Sequence, residues 1–599
     1  MRFVFDIETD GLIPELTKIH CIELIHVETG TAYSFTPDNV QAGLDMLEKA
    51  NEIIGHNIIG FDIPAIQKLK PDWNPQGKVT DTLVLSQLLK GDIKNSDFDY
   101  DREYGFGIGV TTGLPKRLCG SHSLKAWGYR LNEHKEEIQT DWKVWTPEMQ
   151  KYCAQDVAVN HKLFNHFDTL IKDSEWSQDS IDLEHQAAEL CYRIGNNGWS
   201  FDEKKAGKLY AELAKERSIL DTELQTLFEP WEVSTWFTPK VNNKRYGYEK
   251  GVPFEKKKPI EFNPQSRRHI ERCLKEKYGW KPKKMTNGGH AQIDETILGA
   301  LHYPEAKKLA RMFLLNKRLG QLAEGKQAWL KLADKDGRIR HQIVPCGTVT
   351  GRAAHRRPNL GQVPRASAPF GKQCRDLFTV PEGYSLLGSD LSGIELRILA
   401  HYLSFTDGGA YAKQILKGDI HTFNQKAAGL ETRDQAKTYI YALCYGAGDA
   451  MMGKIVGGNA KDGKKLKEKF FKSMPAFQEL QNGVQGAVSR GWLKSIDGRR
   501  VRLRSAHSAL NALLQSAAGC VSKRWICLID EELKARGLNK DCYMVAWVHD
   551  EVQIAVKEGL EDYVGHLTGS CAKKVGEEFN IQIPIESEFS FGKTWADSH

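Results

Sequence analysis

Closely spaced cysteine pairs are missing from this chain: its 12 cysteines include no Cys-x-x-Cys, and the nearest two, Cys520 and Cys527, stand seven apart. That excludes a zinc ribbon and gives no disulfide framework, so a reducing cytosol is the expected compartment. No apolar run approaches the 18 residues of a membrane span, and the start, Met1-Arg-Phe-Val-Phe-Asp6, lacks a signal-peptide pattern. No membrane association is expected. Fixed-period repeats and coiled-coil heptads are also missing, and a monomer is the expected state. Net charge is only +6 over 599 residues, too small by itself to announce a polyanionic partner.

What is present is more specific. The length allows three or more units of roughly 150 residues, each with its own core. Charge is concentrated locally: Lys240 to Met285 holds 15 Lys or Arg against 5 Glu and no Asp, with Trp236, Tyr246, Tyr248, Tyr278 and Trp280 within or beside it. Such a stretch suits a surface that follows a phosphate backbone and weakens with salt; a solvated basic loop is the alternative.

Three segments carry chemistry. Tyr384-Ser-Leu-Leu-Gly-Ser-Asp390 reads as a strand that delivers a carboxylate at its end. Cys542-Tyr-Met-Val-Ala-Trp-Val548 and Val552-Gln-Ile-Ala-Val556 read as adjacent strands with His549-Asp550-Glu551 at their tip. If those ends meet in one sheet, Asp390 and Asp550 converge on divalent metal. Two ions about 4 Å apart activate an attacking hydroxyl and stabilise a leaving oxygen in phosphoryl displacement; the expected ion is magnesium, two per site, with manganese able to substitute. Between the acids, Arg433, Lys437, Tyr441 and Tyr445 recur every four residues on a helical pattern, drifting by about 40° per step. That stripe is able to hold a triphosphate and stack on a base; a solvated charged face is the alternative.

A second acidic set lies at the N-terminus. Asp6 and Glu8 sit two apart on an expected strand and so share a face. Asp62 follows in His56-Asn-Ile-Ile-Gly-Phe-Asp62, and Tyr152 lies four residues before Asp156, on one side of a helix. Four acids with a tyrosine suit a metal-dependent nuclease in which the tyrosine positions the attacking water. A degenerate nuclease kept as a scaffold is the alternative.

With these residues in view, the chain resembles the family A DNA polymerases, and within them the replicative polymerases of short-tailed T-odd bacteriophages. The likeness runs from Phe3 to Trp595 and includes Gly418-Asp-Ile-His421-Thr, Thr350-Gly351-Arg352 with Pro358-Asn-Leu, and Ala509-Leu-Asn511-Ala-Leu-Leu-Gln515-Ser. The resemblance implies a multidomain α/β and α+β chain: an RNase H-like 3′–5′ proofreading exonuclease with Asp6, Glu8, Asp62, Asp156 and Tyr152, followed by a right hand of palm, fingers and thumb. In that hand Asp390, Asp550 and the Leu391 backbone would hold metal. Lys437, Arg433 and His421 would contact the incoming triphosphate, Tyr441 would stack near base and sugar, and Tyr445 would lie under the template-side base. Glu395 would be the steric gate against a ribose 2′-hydroxyl, although spacing alone makes it an ordinary helix acid. Arg352, Asn511, Gln515 and His549 would follow the primer-template in its minor groove, where A·T and T·A pairs offer the same acceptors; by themselves Asn511 and Gln515 read as buried amides satisfied by helix neighbours.

Motif order divides the chain into an exonuclease at 1–172, a helical thumb at 173–332 with a basic loop at 231–285, a palm at 333–402 and 509–599, and fingers at 403–508. The interval Pro230 to Pro264 reads as loop. Phage relatives carry a sizeable thumb insertion that captures thioredoxin; here only Trp231 to Glu261 occupies that interval, so thioredoxin is not an expected partner. Because the chain begins at the exonuclease, no 5′-nuclease domain is expected. The expected partners are primer-template DNA, deoxynucleotides and, within a replisome, a helicase-primase and a single-strand-binding protein, all in the host cytoplasm. Two other readings compete: a nuclease or nucleic-acid-binding protein with an inactive palm, and a single-subunit RNA polymerase, against which Glu395, Glu551 and the fused nuclease set speak.

Overall fold

Alternation along the first strand sets the N-terminal architecture. In Arg2–Thr9, Phe3, Phe5 and Ile7 turn to one side and pack with Leu44, Leu47, Ala65, Ile66 and Trp73, whereas Val4 turns to the other and packs with Val157 and Phe164. The computed structural model describes residues 1–98, 114–133, 138, 140–286 and 288–598. Its five-stranded sheet has the order Ala32–Phe35, Ile19–His26, Arg2–Thr9, Glu52–Gly55, Lys78–Asp81. The first three strands pair antiparallel and the last two join in parallel. The long helix Pro147–Asp173, opened by Thr146 as N-cap and Pro147 in its first turn, crosses the Val4 face.

The chain divides into two compact units, one made of Met1–Trp199 with Arg340–His599, the other of Ser200–Ile339. Helix Gln178–Asn197 belongs to the larger unit because its apolar stripe, Ala187, Leu190, Cys191 and Ile194, joins the core of the C-terminal sheet. That sheet is antiparallel, in the order Cys542–Val548, Glu551–Lys557, Tyr384–Leu391, Ser587–Gly592. It packs on the 27-residue helix Ala509–Ala535.

A fully buried charge cluster ties these pieces together. Glu184 of helix Gln178–Asn197 pairs with Lys523 and with Arg499, and Arg499 also pairs with Asp497 at 2.5 Å. Burial pushes the Glu184 carboxyl up, but Lys523 and Arg499 outweigh it and hold it below the usual carboxylate range. Lys523 Nζ also donates to the Gly351 carbonyl at 2.6 Å, fixing the turn that leads into Arg352. Two cations balance two anions, so removing one anion leaves an uncompensated buried charge. Glu184→Ala is expected to destabilise the chain by about 3–5 kcal/mol, read as a lower urea midpoint.

The second unit holds helices Glu203–Leu227, Arg267–Tyr278 and Pro304–Leu319 around Leu224, Phe228, Ile270, Leu274, Leu309 and Met312. The interval expected as loop is instead a hairpin of Trp231–Phe237 and Phe254–Ile260, paired from Trp231↔Ile260 to Phe237↔Phe254. Alternating Trp231, Val233, Thr235 and Phe237 favour a strand, and Pro259 is tolerated because a two-stranded ribbon has only edges. Among the described residues no helix is long and apolar enough to cross a membrane.

Candidate active sites

Strand register brings the two C-terminal acids together. Asp390 pairs with Glu551, and the Leu391 N–H donates to the Asp550 carbonyl at 3.0 Å, so Asp390, Leu391 and Asp550 meet at one sheet end. His549 makes the turn at a left-handed φ of 62°, held by Ser522 Oγ, which donates to its carbonyl at 2.7 Å and in turn receives Trp547 Nε1 at 2.9 Å. Burial raises the Asp550 carboxyl, Glu395 adds to the rise, and His549 and Arg352 oppose it. A desolvated carboxylate beside a second one suits a hard divalent cation. Glu551, although adjacent, accepts from Trp595 Nε1 and Gln553 Nε2, both at 2.7 Å, and serves the fold.

Beyond Leu391 the chain turns at Gly393, with φ 56°, into helix Ile394–Asp407, which places Glu395 in its first turn. Arg352 Nη2 donates to Glu395 Oε1 at 2.7 Å, and the Tyr445 hydroxyl donates to Glu395 Oε2 at 2.8 Å. Three residues singled out separately in the sequence thus form one linked group. Burial, then Glu395 itself, pushes the Tyr445 phenol up, so it stays a donor.

Helix Arg433–Cys444 begins with a capping box between Thr432 and Gln435. Ala436, Tyr439, Ile440, Leu443 and Cys444 bury one face, which leaves Arg433 and Lys437 exposed and Tyr441 half-buried on the other. Tyr445 is the C-cap, its ring centroid 6.4 Å from that of Tyr441. His421 lies in the preceding helix Ile420–Ala428, whose N-cap Asp419 takes Arg433 Nε at 2.7 Å. Burial lowers the His421 imidazole, and Arg433 and Lys437 lower it further. That effect places a neutral imidazole within electrostatic reach of the two cations Arg433 and Lys437. Asp419 was not apparent as a participant from sequence; its place as N-cap in Gly418-Asp-Ile-His421 was the available signal.

Asn511 and Gln515 are four apart on helix Ala509–Ala535, both half-buried. Asn511 Oδ1 is buried yet accepts no hydrogen bond among the described residues, so helix neighbours do not use it. Arg352, His549 and Asp550 line one small cleft with Gly519 and Trp547. A Cβ at Gly519 would only reach van der Waals contact with Arg352 Cγ, at 3.4 Å.

At the N-terminus, Asp6 and Glu8 share the Val4 side of their strand and look onto helix Pro147–Asp173. Ligand atoms of Asp6, Glu8 and Cys153 lie within 4.8 Å of one another, and Cys153 Sγ donates to the Asp6 carbonyl at 3.4 Å. Asp62 opens helix Asp62–Leu69 and accepts the Ile7 N–H at 3.3 Å, which sets it beside the same strand. Burial, with Asp81 and Asp156 nearby, pushes the Asp62 carboxyl up to about 7. A buried carboxyl raised by neighbouring acids is chemically suited to a divalent cation. Tyr152 precedes Asp156 by one helical turn, its ring edge-on to Trp142 at 6.0 Å. Cys153 and Asp81 were not recognised from sequence. Asp81 caps helix Thr82–Leu89 and takes the Asn57 and Ile59 N–H groups at 2.8 and 3.1 Å, which fixes the loop before Asp62.

Comparison with known proteins decides the family. Residues 244–597 match the model described as DNA polymerase family A. Over the whole chain and the whole of each relative, the sequence is 34% identical to the DNA-directed DNA polymerases of Enterobacteria phage T3 and Escherichia phage T7. The chain belongs to DNA polymerase family A. The aligned length, 711 positions, exceeds the polymerase's 599 residues, so those relatives carry segments it lacks. A solved structure described as the POL domain of Pol1 from M. smegmatis in complex with DNA primer-template and dNTP superposes on all of the polymerase and 96% of that chain, with a TM-score of 0.74 at 19% identity. This likeness extends the fold assignment over the N-terminal sheet as well.

Proposed function

We propose that this family A polymerase replicates DNA on a primed template and proofreads with a 3′–5′ exonuclease. The observation that carries the reading is the junction of Asp390, Leu391 and Asp550 at one sheet end, together with the cationic face of helix Arg433–Cys444. Enzymes of this family depend on metal. The acids of each centre fit magnesium, two ions per centre or manganese in its place, which supplies a polarised primer hydroxyl or water and charge neutralisation on the phosphate. Asp390, Asp550 and the Leu391 backbone would hold that charge in place, and the Leu391 N–H ties the two strand ends together through the Asp550 carbonyl. Arg433, Lys437 and His421 bind the triphosphate, with Asp419 anchoring the Arg433 guanidinium through Nε. Tyr441 stacks at the base and sugar, Tyr445 occupies the template-side stacking position, and Glu395 fills the space of a ribose 2′-hydroxyl while its carboxylate is held by Arg352 and Tyr445. Asn511, Gln515, Arg352 and His549 donate to the minor groove.

In the N-terminal centre Asp6, Glu8, Asp62 and Asp156 hold the cations and Tyr152 orients the attacking water. The enzyme acts as a monomer in the host cytoplasm with a helicase-primase and a single-strand-binding protein. A primed-template assay with four deoxynucleotides, with none, and with ribonucleotides tests this. Extension with the first, shortening with the second and no extension with the third are expected; shortening in all three would instead indicate an inactive palm.

Thioredoxin is not part of this assembly. The support is the short Trp231 to Glu261 interval and the segments the phage relatives carry in addition. Product length per binding event is expected to be the same with and without added thioredoxin in a single-encounter assay with an enzyme trap.

A further inference from the structure

Two consecutive residues of helix Ala509–Ala535 hold the two turns that line the cleft at Asp550. Ser522 Oγ donates to the His549 carbonyl at 2.7 Å, just before Asp550, and Lys523 Nζ donates to the Gly351 carbonyl at 2.6 Å, just before Arg352. Asn511, Gln515, Gly519 and Lys523 recur every four residues and so form one ridge of that helix. The Gly351–Arg352 turn lies along the ridge, where a Cβ at Gly519 would meet Arg352 Cγ at 3.4 Å and the Gly351 carbonyl oxygen at 3.9 Å.

The turn is closed by its own bonds. The Gly351 N–H donates to the Thr348 carbonyl at 2.9 Å, the Arg352 N–H to Thr348 Oγ1 at 3.0 Å, and the Gly347 N–H to the Arg352 carbonyl at 3.0 Å. Gly351 adopts a φ of 77°, and a Cβ there would stand 2.9 Å from Arg499 Nη1, so both conformation and space call for glycine. Lys523 is what fastens this closed turn to the helix. On the far side of the turn Arg352 Nη2 reaches Glu395 Oε1 at 2.7 Å, while the Tyr445 hydroxyl takes Oε2. One backbone carbonyl and one side chain therefore separate Lys523 from Glu395.

Stability does not account for a lysine in this place. Lys523 and its partner Glu184 are both 0% exposed, and a buried ion pair contributes little over apolar side chains of the same size. What an apolar residue cannot supply is a donor to the Gly351 carbonyl, which belongs to a buried residue and would otherwise lose its partner. Without that tie the turn is free to shift, Arg352 leaves Glu395, and a carboxylate braced on one oxygen alone is able to rotate.

We propose that Lys523 is a positioning residue of the synthesis centre and that, through the Gly351–Arg352 turn, it holds Glu395 in the place that excludes a ribose 2′-hydroxyl. The inference rests on the reading of Glu395 as that gate and adds a determinant of sugar selection buried behind it. The test uses the full-length chain with Glu184→Gln and Lys523→Met combined, which removes one anion and one cation and leaves Arg499 paired with Asp497. Incorporation of a deoxynucleotide and of the matching ribonucleotide is measured as kcat/KM on a primed template, and primer shortening without nucleotides reports that the variant is folded. The ratio of the two values is expected to fall about tenfold, the size of one lost charge-assisted hydrogen bond at Glu395. Glu184→Gln alone, which loses stability but keeps the Lys523 donor, is expected to discriminate as the wild type does. In a Glu395→Ala background, whose own ratio is expected to be low, the paired substitutions are expected to lower it no further. Gly351→Ala keeps every charge and displaces the turn from its other side; the same fall is expected, and it carries the test if the double variant does not fold. An unchanged ratio in the folded double variant or in Gly351→Ala, with both nucleotides slowed equally, would overturn the proposal and leave the cluster a structural role only. An unchanged ratio in Glu395→Ala would instead count against the gate reading itself.

Discussion

Asp390→Ala is expected to abolish primer extension, by at least about 10³-fold in single-turnover incorporation, while primer shortening without nucleotides continues at the wild-type rate. The size follows from the role: a carboxylate that holds catalytic cations controls several kcal/mol of transition-state stabilisation, and each 1.36 kcal/mol is tenfold in rate. The selectivity follows from position. Asp390 is half-buried at the end of strand Tyr384–Leu391, so Ala opens no core cavity, and the strand keeps its pairing with Glu551–Lys557 through backbone bonds. Asp550→Ala is expected to fail equally, and the double variant to be no worse than either, because ligands of one centre act as a unit. Extension by Asp390→Ala within tenfold of wild type would remove this residue from the centre.

Asp62→Asn is expected to produce the reciprocal phenotype: shortening falls by about 10³-fold and extension is unchanged. Asp62 is 4% exposed and its carboxyl is raised to about 7 by burial and by Asp81 and Asp156. The acid therefore costs the fold something when no cation is present, and the amide relieves that cost. With chelator, Asp62→Asn is expected to melt at or above the wild-type temperature; with magnesium, the wild type should gain stability and the variant should gain less. A variant that loses digestion because it unfolds would show the opposite order with chelator, and that separates a chemical role from a structural one.

Much of this was legible in the sequence because the informative residues sit on regular elements. The four-residue recurrence from Arg433 to Tyr445 only makes a stripe on a helix, and the buried Ala436, Tyr439, Ile440, Leu443 and Cys444 occupy the complementary positions. Asp6 and Glu8 share a face for the equally local reason that side chains alternate on a strand. Contacts between distant segments were not legible. Nothing in Gln178–Asn197 announces that its apolar stripe closes the core of a sheet more than 180 residues later, and Asp419 shows its hold on Arg433 only once two helices are docked. Cys153 follows Tyr152 in sequence, but its closeness to Asp6 depends on the helix lying across the first strand. The hairpin is not evident in the sequence because lysines and prolines dominate the composition of that interval, whereas the alternation of Trp231, Val233, Thr235 and Phe237 that drives strand pairing spans only seven residues.

The most direct test that one chain carries two separate centres is release of deoxynucleoside monophosphate during idling on a primed template whose end has been reached. Wild-type enzyme should convert deoxynucleoside triphosphate steadily to monophosphate, because each added residue is removed and replaced. Asp390→Ala and Asp62→Asn should each release none from added triphosphate, and an equimolar mixture of the two should restore it. Monophosphate release from triphosphate by Asp390→Ala alone, or no release by an extending wild-type enzyme, would contradict the assignment of synthesis to the Asp390 and Asp550 junction and of digestion to the Asp6, Glu8, Asp62 and Asp156 set.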